Sequence, residues 1–175
     1  MSHRSLLLLG MLISQSQHGY QIHDFIEKNL KYITNMKKAT AYSLLDKLSK
    51  EQYIHASIEY DGNRPPRKVY TINEKGINYF KQLLSQNLAS AESIAYHSEI
   101  GFMFLDHLPK ENAVDLLKQK QRELKKKLEA LQQLPKHEDI GINIAFLHKK
   151  KMIEAEIDFI TEIIHKLSPN WSEPT

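Results

Sequence analysis

The chain has 175 residues, 41% of them hydrophobic, with a formal net charge of +3 and no cysteine. That length allows one domain of ordinary size or two small ones. The missing cysteines exclude disulfides and thiolate metal sites and point to a reducing cytoplasm. No apolar run approaches the ~20 residues of a membrane span, so no membrane partner is expected. The apolar run at 6–13 lacks a small-residue cleavage signature, so no signal peptide is expected either.

Charge is unevenly spread. Through Ser85 there are twelve Lys/Arg against seven Asp/Glu, and from Gln86 onward twelve against fourteen. A basic front half favours an anionic partner, with ordinary solubilising charge as the alternative.

Leu6, Leu7, Leu9, Met11, Leu12 and Ile13 predict a short, mostly buried first helix. Ile22, Phe25, Ile26 and Leu30 step by three and four, which predicts a second helix over 18–30 with one apolar face. Leu44, Leu45 and Leu48 repeat that spacing in a third helix over 36–51. The period then changes to two. Ile54, Ala56, Ile58 and Tyr60 alternate with His55, Ser57 and Glu59, as in a strand. A Gly/Pro turn crowded by Arg64, Arg67 and Lys68 follows, and Lys68, Tyr70 and Ile72 return as a second strand. Asn73 offers an N-cap and Glu74 an acidic first turn to a fourth helix ending near residue 86.

From there the pattern is helical. Residues 90–108 read as one helix. Pro109 starts another, with Leu117, Leu124, Leu128 and Leu131 on one face, and Pro135 stops it. Phe146, Ile153, Ile157, Ile160, Ile164 and Leu167 form a coiled-coil-like stripe on a last helix of roughly 25 residues, ended by Pro169. A monomer seldom leaves so much apolar surface open, so Phe146, Ile153, Ile157, Ile160 and Ile164 are the expected homodimer interface.

Three helices followed by a hairpin is the order of a winged helix-turn-helix. Its third helix enters a major groove, and its hairpin, the wing, lies along phosphates or a minor groove. The fold class expected is therefore mainly α with a small β-hairpin (α+β). A winged helix-turn-helix DNA-binding domain would span 1–86 and a helical dimerisation domain 87–175. Lys37, Lys38, Thr40, Ser43 and Lys47 lie off the apolar face of the third helix and suit groove reading, with a solvated face as the alternative. Tyr42 is ambiguous between core and backbone contact. Gly19 opens the second helix, where free N–H groups attract phosphate. Tyr20 can donate to the same phosphate, and His18 is either a cap or a contact. Arg64, Arg67 and Lys68 suit phosphate contact from the wing, although a charged hairpin also guards an edge strand.

The runs LLLLGMLISQSQHGYQI, ATAYSLLDKL and GNRPPRKVYTINEKG together resemble the PadR-like transcriptional regulators over residues 3–85. Arg67-Lys68-Val69-Tyr70 with Ile72 and Gly76 carries most of that resemblance. The rear half is similar to the helical C-terminal domain of the family's longer, AphA-like branch. The resemblance implies a homodimeric DNA-binding regulator, and a two-fold dimer would meet a roughly palindromic duplex operator. It also implies a repressor often relieved by a small effector, with aromatic compounds conceivable. Ser43 departs from the proline common after the recognition-helix tyrosine. Tyr96, Phe102 and Trp171 are candidates for an aromatic effector pocket, with core or dimer packing as the alternative. No phosphate loop, GxSxG or HExxH motif is present, so neither an enzyme, a cofactor nor a metal site is expected. A winged-helix protein- or RNA-binding adaptor with a helical assembly domain is the rival reading.

Overall fold

A computed structural model describes residues 2–14, 17–29, 33–60, 66–91 and 97–167. The chain divides into two compact units, Met1–Glu92 and Ser93–Thr175.

The first unit runs α1 (Ser2–Ser14), β1 (Gln17–His18), α2 (Gly19–Asn29), α3 (Lys38–Lys50), β2 (Ile54–Glu59), β3 (Arg67–Ile72) and α4 (Glu74–Ala89). Its core gathers Leu8, Leu9 and Leu12 of α1, Ile22 and Ile26 of α2, and Ala41, Leu45 and Leu48 of α3. Ile54, Tyr70 and Leu83 close it from the strands and α4. Removing each large aliphatic side chain from water contributes about 1.5–3 kcal/mol, so three helices and the hairpin base are held as one body. Tyr70 is fully buried, and its hydroxyl has no hydrogen-bond partner among the described residues. Burial raises its pKa, so Tyr70 serves the core by its ring.

The hairpin forms as expected, with β2 and β3 antiparallel from Ile54↔Ile72 to Glu59↔Arg67. A third strand joins it. Gln17 and His18 pair with Tyr70 and Val69, giving the order β1-β3-β2. His18 therefore lies in extended backbone and α2 starts one residue later than expected, because residues 17–18 complete the free edge of β3. The alternation along β2 does not mark a buried face. Only Ile54 is buried, while Ile58 is 58% and Tyr60 74% exposed. Only the hairpin's base reaches the core, and the rest projects into solvent.

Asn73 caps α4 as expected, its side-chain oxygen accepting from the Gly76 N–H at 2.9 Å. Its amide donates to the Gln52 carbonyl at 2.9 Å, and its backbone N–H to the Tyr53 carbonyl at 3.3 Å. The start of α4 is thus tied to the turn leaving α3.

The second unit contains α5 (His97–Met103), a 3₁₀ turn at Leu105–His107, α6 (Lys110–Gln132) and α7 (Ile140–Leu167). The single helix expected over 90–108 is not formed. Ser90 ends α4 in extended backbone, α5 has seven residues, and Leu108 is extended ahead of Pro109, whose ring disfavours helix in the preceding residue. Among the described residues no helix is long and apolar enough to cross a membrane.

The expected dimer stripe has a different role. Phe146, Ile153, Ile157 and Ile160 are 0–9% exposed within one chain, packed with Leu117, Leu124 and Leu131 of α6. Ile164 is half-buried on the same side. Lys120 Nζ to Glu156 Oε1 at 2.6 Å and Gln121 Nε2 donating to Thr161 Oγ1 at 2.7 Å fasten the pair. The seven-residue stripe reports the nearest apolar partner, which a helical hairpin supplies from its own chain. A second apolar set on α7 remains outward: Ile140, Ile144, Leu147 and Phe159 are 43–77% exposed.

Candidate nucleic-acid interface

α3 is anchored on one side by Ala41, Leu45 and Leu48, which fixes what the other side presents. Lys37, Lys38 and Ser43 are exposed, and Thr40 is half-buried at the rim. Lys37 is the N-cap residue and makes no side-chain cap, so its ammonium is not tied to the helix end. Short hydroxyl residues between lysines permit the close approach that base and phosphate contacts need.

Three candidates on or beside this helix are partly engaged within the chain. Lys47 is half-buried and sits 3.6 Å from Glu51, one turn on. Tyr42 is half-buried and belongs partly to the core side. Lys68 points back to α3, its Nζ 3.0 Å from Asp46 Oδ1. That hydrogen bond, with nearby Tyr70 and the Asp46 charge, raises the Lys68 pKa. Lys68 therefore joins the wing to α3 through an exposed ion pair. Asp46 carried no motif in the sequence. Its only signal was a lone acid in an otherwise basic helix segment.

Arg67 is half-buried at the turn end of the wing, opposite Glu59 in the strand register. Arg64 lies outside the described residues. His18 and Gly19 form the junction where β1 ends beside Val69 and α2 begins, with Tyr20 next in α2. The start of α2 is thus brought to the wing strand, while the side chains of these residues lie outside the described part.

The Asp46–Lys68 pair gives a direct expectation. Exposed pairs contribute about 0–1 kcal/mol, so Asp46→Ala should leave the melting temperature nearly unchanged. It also removes a negative charge from the helix and frees Lys68. Duplex binding should tighten, and the log–log salt slope should steepen by about 0.9 in a salt titration. Weaker binding would show instead that the pair positions the wing.

In the second unit, Phe102 meets Phe159 edge-on with ring centroids 5.3 Å apart. They line a cleft of about 310 Å³ with Met152, Ala155, Glu99 and Glu156. Lys120 Nζ stands 5.0 Å from the Phe102 ring centroid. Tyr96 and Trp171 lie outside the described residues.

Residues 8–82 match the Transcriptional regulator PadR-like family. The negative transcriptional regulator PadR of Bacillus subtilis is 25% identical over 125 residues, which span 71% of this chain and 69% of that protein. The structure is similar to that of B. subtilis PadR in complex with operator DNA, with a TM-score of 0.82 at 20% identity, covering 94% of this chain and 98% of that one. For PadR in complex with p-coumaric acid the TM-score is 0.75 at 19% identity, with 93% and 94% covered. The Vibrio cholerae virulence activator AphA gives 0.75 at 14% identity, with 94% and 97% covered. At these identities the structural likeness is one of fold, and it extends the winged-helix and rear-helix architecture over nearly the whole chain. Through residues 8–82, the front unit thus resembles the PadR-like transcriptional regulators.

Proposed function

We propose that this regulator is a sequence-specific DNA-binding repressor that acts in the cytoplasm as a homodimer and is released by a small-molecule effector. The observation that carries the reading is the α3 surface. Lys37, Lys38 and Ser43 are exposed on a helix whose other face is locked in the core, with the wing joined to it through Asp46 and Lys68. The operator DNA in the PadR complex supports the same partner here.

Pairing of two chains is supported by the outward apolar residues Ile140, Ile144, Leu147 and Phe159 of α7, which a lone chain would leave in water. A two-fold dimer would set two α3 helices on successive major grooves, about 34–36 Å apart, and so read a roughly palindromic operator. The cleft beside Phe102 and Phe159 suits a small planar aromatic effector, and the p-coumaric acid bound by PadR supports that class. Such a ligand would act by binding one dimer geometry more tightly than the other.

The test is a titration of a duplex carrying the promoter region of this reading frame at several salt concentrations. Wild-type affinity should fall steeply with salt, and Arg67→Ala should flatten the log–log slope by about 0.9. Affinity independent of salt overturns the reading and favours a protein-binding adaptor.

A further inference from the structure

An open cleft of about 570 Å³ lies between the beginning of α1 and α3. Its lining is His3, Arg4, Ala39, Thr40, Ser43 and Leu44, with no carboxylate among them. Thr40 and Ser43 belong to the surface of α3 that the proposed function assigns to the groove. His3 and Arg4 come from a helix whose sequence announced only core packing. Both are exposed, yet their backbone is rigidly placed, because the next residue, Ser5, is 4% exposed and Leu8 and Leu9 are fully buried.

We propose that this cleft seats a backbone phosphate of the bound DNA, with Arg4 as its principal donor. The proposal rests on the reading of α3 as the groove helix. A guanidinium presents two parallel N–H donors to phosphate oxygens, a geometry lysine lacks. The Thr40 and Ser43 hydroxyls can donate to the same group from the opposite wall. Ala39 and Leu44 keep part of that wall apolar, which strengthens a charge contact relative to open water. Only the Arg4 side chain needs to be ordered on binding, since α1 is already fixed by its core face.

α1 is then a third contact element, alongside α3 and the wing. Its role is positioning. A phosphate held at Arg4 sets how far α3 sinks into the groove and along which register, without reading a base. The contact should therefore be indifferent to sequence.

The experiment is a salt titration of the full-length chain on two duplexes, its own promoter region and a mixed-sequence control of equal length. Arg4→Ala should weaken binding to both duplexes to a similar degree, roughly tenfold near 0.1 M salt, and lower each slope by about 0.9. Arg4→Lys should restore most of the slope, because it keeps the charge, but only part of the affinity. Arg4→Gln provides a second neutral variant, and circular dichroism checks that each variant is folded. A steep wild-type slope left unchanged by both neutral variants overturns the proposal while leaving the DNA reading intact. A loss confined to the promoter duplex also overturns it, since that would mark a base contact. Inorganic phosphate at constant ionic strength is the third arm. If it raises the melting temperature of the wild type and not of Arg4→Ala, the cleft takes a free anion and the DNA-phosphate assignment fails. A flat wild-type slope defeats the DNA reading itself.

Discussion

Ile160→Asp should unfold the second unit rather than separate two chains. Ile160 is fully buried and lies in the seam where α7 packs on Leu117, Leu124 and Leu131 of α6. Truncating a buried isoleucine costs about 2–5 kcal/mol. An unpaired carboxylate in the same place adds several kcal/mol or forces protonation. The total is comparable with the ~5–15 kcal/mol that holds a typical domain together. Far-UV circular dichroism should show a large loss of helix, with the chain aggregating or open to protease after residue 97. Ile144→Asp should behave in the opposite way. Ile144 is 59% exposed on the outward face of α7, so the hairpin should fold normally and the loss should appear in the oligomeric state by light scattering. A folded, dimeric Ile160→Asp chain would contradict the packing described. A folded Ile144→Asp chain with unchanged mass would remove this face from the dimer.

Gly76→Ala should be more damaging than Gly10→Ala, the other described glycine of the first unit whose added methyl meets a neighbour. A Cβ at residue 76 would stand 2.1 Å from the Tyr53 carbonyl oxygen and 2.8 Å from Ile72 Cγ1. The first of these is backbone, held by the hydrogen bond from Asn73 N–H, so it cannot swing aside. The Asn73–Gly76 cap, which joins α4 to the turn after α3, would have to open. Alanine in a helix gains about 1 kcal/mol over glycine in propensity. Overpacking against fixed atoms costs typically 1–3 kcal/mol and occasionally more, and a 2.1 Å approach belongs at the upper end or beyond. At about 4–8 °C per kcal/mol for a unit of this size, a fall of roughly 10 °C in melting temperature is expected. Because the same joint sets the angle of the wing base, duplex affinity should fall with it. A variant melting at or above the wild type would show that the joint yields.

Much of the front unit was legible because its signals are local. The three- and four-residue steps at Ile22, Ile26, Leu45 and Leu48 gave the apolar faces of α2 and α3. Asn73 and Glu74 gave the start of α4, and the Gly/Pro turn between alternating runs gave the hairpin. The exposed hydroxyl and lysine residues of α3 followed from the same periodicity. Gly76 stood out only as part of the resemblance and without a role, since a glycine inside a helix does not name the carbonyl it must accommodate.

What remained hidden depends on partners distant in the chain. Periodicity shows that the Phe146–Ile164 stripe must be buried but is silent on what buries it, and α6 of the same chain competes on equal terms with a second subunit. The pairing of Gln17 and His18 with β3, the turning of Lys68 toward Asp46, and the cleft lined jointly by Arg4, Thr40 and Ser43 each join residues from separate segments. Sequence by itself determined which faces are apolar, where helices cap and where the chain turns, because those follow from torsional preference and side-chain spacing. Only the tertiary structure decided which faces meet and which cations stay open to solvent, because contact energies belong to pairs of residues and not to either one alone.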